Sequence, residues 1–433
     1  MGCNCSKQHP VAASCCEPSE YGATVAGATN SDGRTALMFA ALGGHESAAK
    51  LLLDHGADAR AANNVGHTAL IFAALGGWES VAKLLLEHGA DVGAVDHGGG
   101  TALMGAAQGG HDSVAKLLLE YRADAGAANS DGHTALMFAA QGGYVSVAKL
   151  LLEHGASAGA ANKVGHTALM EAALGGHESV GKLLLEHGSD ANAADNDGTT
   201  ALMFAALGGH LSVTKVLVEH GADANAADHD GSTALMFAAL SGHVCVAKLL
   251  LESQADAAAT NGDQRTALMF AALSGHVSVT KLLLEYRADA GATNSDGRTS
   301  LMFAALAGHE SAAKLLLEHR ADAGTTSREG RSALMFAALG GHESTAELLL
   351  EHRADAGSSS RDGRTALMFA ALSGHVSVAK LLLEHGADAE AADHDGDTAL
   401  MGAAEGGHDS VAKLLLEHVP KASGGQVSGC RQQ

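Results

Sequence analysis

Only 3 of the 433 residues are proline, one is tryptophan, and aromatic side chains make up 3% of the chain. A core drawn from this sequence must be packed with Ala and Leu rather than with large rings, and little interrupts its helices. Six cysteines are present; Cys3, Cys5, Cys15 and Cys16 crowd into the first sixteen residues, and only Cys245 lies in the interior. That distribution is no disulfide framework and implies a reducing, cytosolic setting. Apolar runs such as Ala36 to Leu42 fall far short of the roughly 20 residues that cross a bilayer. The polar start from Met1 to Pro10 does not read as a secretory signal.

Positive charge is also scarce, with 27 Lys and Arg against 49 Asp and Glu and a formal net charge of −22. Acidic residues recur through the chain, as at Glu87, Glu120, Glu153 and Glu186. No basic stripe is available to release counterions from a phosphate backbone, so nucleic acid is not an expected partner. The same charge should keep a long chain soluble and monomeric.

What the sequence does have is a strict period. A hydroxyl residue returns every 33 positions from Thr35 to Thr398, with Ser332 the only serine in the series and no insertion or deletion between copies. Twelve copies at one spacing imply a supersecondary unit stacked on itself. One elongated repeat domain is expected over residues 26–419, between an N-terminal tether over 1–25 and a disordered tail over 420–433.

In the first copy, Asp32-Gly33 is a turn and Thr35 is placed to cap a short helix from Ala36 to about Leu42. Gly43-Gly44 ends that helix. A second, amphipathic helix is expected from His45-Glu46-Ser47 through Leu53-Asp54-His55, closed by Gly56 in the left-handed region. Ala57 to Asn64 then returns as a loop or hairpin to the next copy. At the Gly56 position four copies carry Arg122, Arg287, Arg320 and Arg353, where a side chain is expected to cost about 1 kcal/mol.

Helix, turn, helix and projecting hairpin at this period resemble the ankyrin repeat. The family signature T-P-L-H-x-A reads here as Thr35-Ala36-Leu37-Met38-Phe39-Ala40, and Gly44-His45 with Lys50-Leu51-Leu52-Leu53-Asp54-His55-Gly56-Ala57-Asp58 is similar to the family's later segments. The resemblance implies an all-α fold, an ankyrin-repeat α-solenoid with projecting β-hairpin loops. Two features depart from it. The family's proline is absent from every copy, and its histidine is Met in eleven copies and Ile71 in the other, which exchanges a polar network for soft apolar packing.

The 26 histidines do not make a metal centre. Equivalent residues in adjacent copies should sit roughly 10 Å apart, whereas zinc ligands lie about 2 Å from one ion. The N-terminal cysteines lack a C-x-x-C pair, Cys245 has no base particular to it, and no phosphate-cradling loop is present. No enzyme activity, cofactor or metal is expected.

Met1-Gly2-Cys3-Asn4-Cys5-Ser6 fits the pattern for N-myristoylation of Gly2. One myristoyl chain gives marginal binding, with a constant of about 10⁴ M⁻¹, and Lys7 is the only basic residue before Arg34. The second anchor is therefore expected to be palmitate on Cys3 and Cys5, and the tether of residues 8–25 spans roughly 25 Å on average. Localisation at the cytosolic face of a membrane follows.

Carried onto this chain, the ankyrin groove would be lined by Phe39, Phe72, Phe138, Phe204, Phe237, Phe270, Phe303, Phe336 and Phe369, with Leu42, Leu75, Leu174, Leu207 and Leu240 one turn on. The stripe is broken at Gly105, Glu171 and Gly402, and Glu171 is expected to set register for a bound segment. The same phenylalanines could instead pack between copies. The sequence thus points to a non-enzymatic adaptor that holds a protein partner along this groove and its hairpin tips, with an inhibitor that occludes a partner enzyme as the alternative.

Overall fold

The computed structural model describes residues 27–418. The expectations for Gly2, Cys3 and Cys5, for the tether over 1–25 and for the tail over 420–433 concern residues outside that range. The described chain divides into two compact units, one ending at Asp190 and the other beginning at Ala191. The first holds five helix pairs, from α1 (Ala36–Leu42) and α2 (Glu46–Asp54) to α9 (Ala168–Gly175) and α10 (Glu178–Glu186). The second holds seven, from α11 (Ala201–Gly208) and α12 (Leu211–Glu219) to α23 (Ala399–Glu405) and α24 (Asp409–His418). Within each unit a helix packs on its partner in the pair and on its counterparts in adjacent copies.

The first helix of each pair starts where the hydroxyl residue stands. Thr35 is extended and its side chain accepts from the Met38 amide at 3.3 Å, which satisfies one orphan donor of the helix start. The family's proline position holds Ala throughout, except for Ser300, whose buried hydroxyl has no hydrogen-bond partner. At the family's histidine position the methionines are buried except Met401, with Met38, Met137 and Met302 at 0–1% exposure. Two keep part of a polar role, because the sulfurs of Met170 and Met368 accept from the backbone N–H of Thr167 and Thr365 at 3.4 Å.

Each first helix lasts about two turns because glycine follows. Gly44 takes φ +67°, and its carbon is also crowded from the next copy: a Cβ there would lie 2.4 Å from Cδ2 of Trp78. At Gly77 the same clash would be with Nδ1 of His111 at 2.4 Å. Glycine is thus demanded twice, by the turn and by the neighbour's ring. The second helices bury Val, Ala and Leu at one face, as Val114, Ala115 and Leu118 do completely in α6 (Asp112–Glu120). Each leucine so buried stabilises the stack by roughly 1.5–3 kcal/mol.

The returning segments are hairpins in the narrow sense. Eleven copies carry an isolated antiparallel bridge such as Ala62 to Thr68. The exception, the copy of Thr266, has Gln264 at φ +59° where its counterparts have glycine. Backbone bonds join neighbouring tips within each unit, as from Asn64 N–H to the Asp32 carbonyl at 3.0 Å and from His229 N–H to the Asp197 carbonyl at 2.9 Å. These bonds hold the projecting loops at the spacing of the helices.

Arg122, Arg287, Arg320 and Arg353 adopt φ of +64°, +64°, +68° and +65°, and Gln254 at the same repeat position adopts +67°. Glycines at this position in other copies, such as Gly89 and Gly155, have open space where a Cβ would point, so the cost at Arg320 is torsional rather than steric. Strain of about 1–2 kcal/mol, offset by about 0.4–1 kcal/mol from the greater freedom of an unfolded glycine, leaves a small net gain. Arg320→Gly should raise the thermal midpoint measured by circular dichroism by about 1–2 °C; a fall would reveal a contact of the arginine worth more than its strain.

Candidate functional site

The nine phenylalanines divide into two groups according to what the preceding copy places above them. Arg34 lies over the Phe72 ring with its guanidinium carbon 5.5 Å from the centroid. Arg265 covers Phe303 at 5.4 Å, Arg298 covers Phe336 at 5.1 Å and Arg331 covers Phe369 at 5.1 Å. All four rings are buried, at 3–6% exposure. The Nε atoms of Arg34, Arg265 and Arg298 are buried without a hydrogen-bond partner, and Asp263 and Asp296 stand 3.9 and 4.0 Å from those of Arg265 and Arg298, so attraction to the ring face, about 0.5–2 kcal/mol, adds to a loose ion pair in those two.

Phe39, Phe138, Phe237 and Phe270 lack this cover. Phe39, in the first copy, is 48% exposed. Phe138, Phe237 and Phe270 are half-buried, and the residues at the covering position are Gly100, Thr199 and Ser232, none of which can lay a cation over a ring. Phe204 is also half-buried. Leu42, Leu75, Leu174, Leu207 and Leu240 are all exposed, at 38–46%. In the second unit Leu207, Phe237, Leu240 and Phe270 therefore form a stretch in which apolar side chains of the ladder reach solvent, as Leu372 also does further on.

The expected single apolar stripe is thus two populations. Phe72, Phe303, Phe336 and Phe369 spend their surface on arginines of the chain itself, because a guanidinium plane and a phenyl ring 38 residues apart fall into register. Glu171, expected to face a partner, is 8% exposed and turns back within its own copy, where its Oε1 lies 3.2 Å from Nδ1 of His166. Sequence inspection misses the cover because the two partners belong to different copies; the signal available to it is the coincidence of Arg at position n with Phe at n+38.

Where the ring is absent, at position 402, the covering residue keeps only carboxylate partners among the described residues. Arg364 would overlie position 402, which is glycine, and its Nε instead donates to Asp393 Oδ2 at 3.2 Å, with Asp362 Oδ2 at 3.5 Å. A cleft of about 180 Å³ opens beside it, lined by Met368, Phe369, Leu372, Met401 and Gly402 with Asp393, Asp397 and Glu405. At Gly105 a second cleft lies beside His67, whose Nε2 is 3.1 Å from Asp96 Oδ2.

Two carboxyls near Arg364 are shifted. Asp362 is held below the usual range, chiefly by the Ser360 hydroxyl that donates to it, with Arg364 and Arg331 nearby. Asp393 is held low by the backbone N–H groups of Asp397 and Asp395 and by Arg364. Asn63 makes the same two backbone bonds in its own turn, to Val65 and His67, which marks the position as a turn-former first and a charge second.

The histidines act singly. His111, His243, His276 and His342 reach back to the first helix of the preceding copy and donate from Nε2 to the carbonyls of Leu75, Leu207, Leu240 and Leu306 at 2.9–3.1 Å. Trp78 does the same to Leu42 at 3.0 Å. The other ladder closes its own helices, as His55 Nδ1 does with the Leu51 carbonyl at 2.8 Å. Among the described residues no group of three or more His, Cys, Asp or Glu side chains converges as metal ligands, Cys245 is a free, exposed thiol, and no helix is long and apolar enough to cross a membrane.

Helix pairs, glycine turns and bridged hairpins at a 33-residue period are the structure that the ankyrin repeat prescribes. The family described as Ankyrin repeats (3 copies) matches in overlapping segments, residues 14–96, 91–162, 147–228, 169–261, 223–294, 268–360, 301–393 and 334–426. The chain belongs to the ankyrin-repeat family. Its repeats make it a protein-protein interaction module, the role that ankyrin repeats typically fill without catalysis. No curated protein matches the chain.

Because Asp393 is held below its ordinary value of 3.8, its contribution to stability is present in full above that pH and is lost as pH falls through the lower folded-state value. Asp393→Asn keeps the turn bonds but removes the charge that strengthens them and pairs with Arg364. The variant should be less stable than the parent at pH 7, and the gap should close in melts carried from pH 4 downward. A gap that stays constant to pH 2 would mean that the charge contributes nothing.

Proposed function

We propose that this chain is a non-enzymatic adaptor, held at the cytosolic face of a membrane by myristate on Gly2 and palmitate on Cys3 and Cys5, whose repeats capture a protein partner. The observation that carries the capture reading is the uncovered stretch at Leu207, Phe237, Leu240 and Phe270. In a chain that buries four other rings of the same ladder under its own arginines, these two leucines are exposed and these two rings only half-buried where Thr199 and Ser232 replace the cation. Contiguous apolar surface beside a polar rim is the usual mark of a protein-binding face. The acyl anchor rests on the N-terminal motif and on the shortage of basic residues that could otherwise supply the second attachment.

Replacing uncovered and covered rings separates binding from packing. Phe237→Ala with Phe270→Ala should deplete the polypeptides that co-purify with the chain while leaving its helical signal intact. Phe303→Ala, which empties a buried site, should lower stability by about 3–5 kcal/mol instead. An unchanged co-purification profile for the double variant would assign those rings to packing alone.

For the anchor, metabolic labelling with an alkyne myristate should mark the wild-type chain and leave Gly2→Ala unmarked. Equal incorporation into both would remove the membrane-tethered reading and leave a soluble interaction module.

A further inference from the structure

The copies that break the ring ladder with glycine are not simply smoother. In the three copies before the last, a phenyl ring fills the space beneath an arginine of the preceding copy: Phe303 under Arg265, Phe336 under Arg298 and Phe369 under Arg331. In the last copy the arginine is still there, as Arg364, and the ring is not, because position 402 is glycine. The cleft of about 180 Å³ stands next to that position. An apolar cavity of about 150 Å³ is enough to take up benzene.

Among the described residues none has moved in to compensate. A Cβ built on Gly402 would find its nearest neighbours in Leu372 at 3.7 Å, an ordinary contact. At Gly105 the same atom would lie 3.0 Å from Leu75 Cγ, so there a leucine leans into the gap, and the covering residue is His67 rather than arginine. Met401, at the mouth of the Gly402 cleft, is 55% exposed, against 0–4% for the buried methionines of Met104, Met203 and Met302 at the same repeat position. The rim carries Asp397 and Glu405 as well as Asp393, against the single cation Arg364.

We infer that the Gly402 cleft receives the aromatic side chain of a partner polypeptide, seated beneath Arg364 in the place that Phe369 holds beneath Arg331. The acidic rim adds that lysine or arginine should flank the aromatic residue. This rests on the reading of the repeats as a partner-binding array, and it specifies the chemistry of one anchor point. Arg364 is able to serve without giving up its carboxylate, because Arg331 likewise pairs with Glu329 at 3.2 Å while it covers Phe369.

The test uses the full chain with ¹³C-methyl methionine and the probe peptide acetyl-Gly-Lys-Trp-Lys-Gly-amide. Titration should move the methyl signals of Met368 and Met401 upfield by the ring current of the bound indole while the other methionines stay in place. The same peptide with Leu for Trp should bind about fivefold or more weakly. Gly402→Phe fills the cleft from within and should abolish both shifts; Arg364→Gln, which leaves the cleft open, should weaken binding about threefold.

The inference is overturned if the Trp peptide leaves Met368 and Met401 unmoved, if the Leu peptide binds equally well, or if the shifts survive in Gly402→Phe. Should Gly402→Phe fail to fold, undiminished affinity in Arg364→Gln overturns it. Failure here leaves co-purification through Phe237 and Phe270 untouched, so the broader reading and this one fail by different measurements.

Discussion

Within each unit the stack depends on a ring laid across a glycine. The first helix of a copy ends at a glycine with positive φ, and the side chain that opens the second helix of the next copy lies where that glycine's Cβ would be. From there the histidines and Trp78 bond to a carbonyl at the end of the preceding first helix, as His243 does with Leu207. One contact thus sets the turn, satisfies an orphan helix carbonyl and fixes the spacing of adjacent copies. A side chain on the glycine would break all three at once. Histidine suits the task because a neutral imidazole is flat, small and supplied with one N–H donor, and the indole of Trp78 meets the same requirements.

A second layer of cross-copy contacts decides what the surface shows. Arginine over phenylalanine buries ring and guanidinium together and removes a hydrophobic patch from solvent without help from another molecule. The last six copies grade from uncovered rings at Phe237 and Phe270, through covered rings at Phe303, Phe336 and Phe369, to a covering arginine with no ring at Gly402. One repeat frame therefore offers three surfaces: an apolar face, a sealed face and an open cleft. Differences of two residues per copy account for all of them.

Much of this was legible in the residues. The caps at Thr35 and its counterparts, the glycine turns, the left-handed arginines and the two histidine ladders follow from local rules applied at a fixed period, and the helix bounds agree within a residue. The substitution of the family's histidine by methionine pointed correctly to buried soft packing at Met38 and Met137. The phenylalanine ladder was legible as a ladder, but its division was not. Whether Phe72 is a surface or a core residue depends on Arg34 in another copy, and Glu171 folds back on His166 although its repeat position suggests otherwise.

The sequence by itself determined the repeating unit with its helices and turns, because caps and glycines act through neighbours along the chain. Tertiary structure decided which aromatic side chains remain free, how the histidines are used and where a cleft opens. Those outcomes turn on the distance and angle between groups 29 to 38 residues apart, and only the stacking of one copy on the next brings such groups within reach.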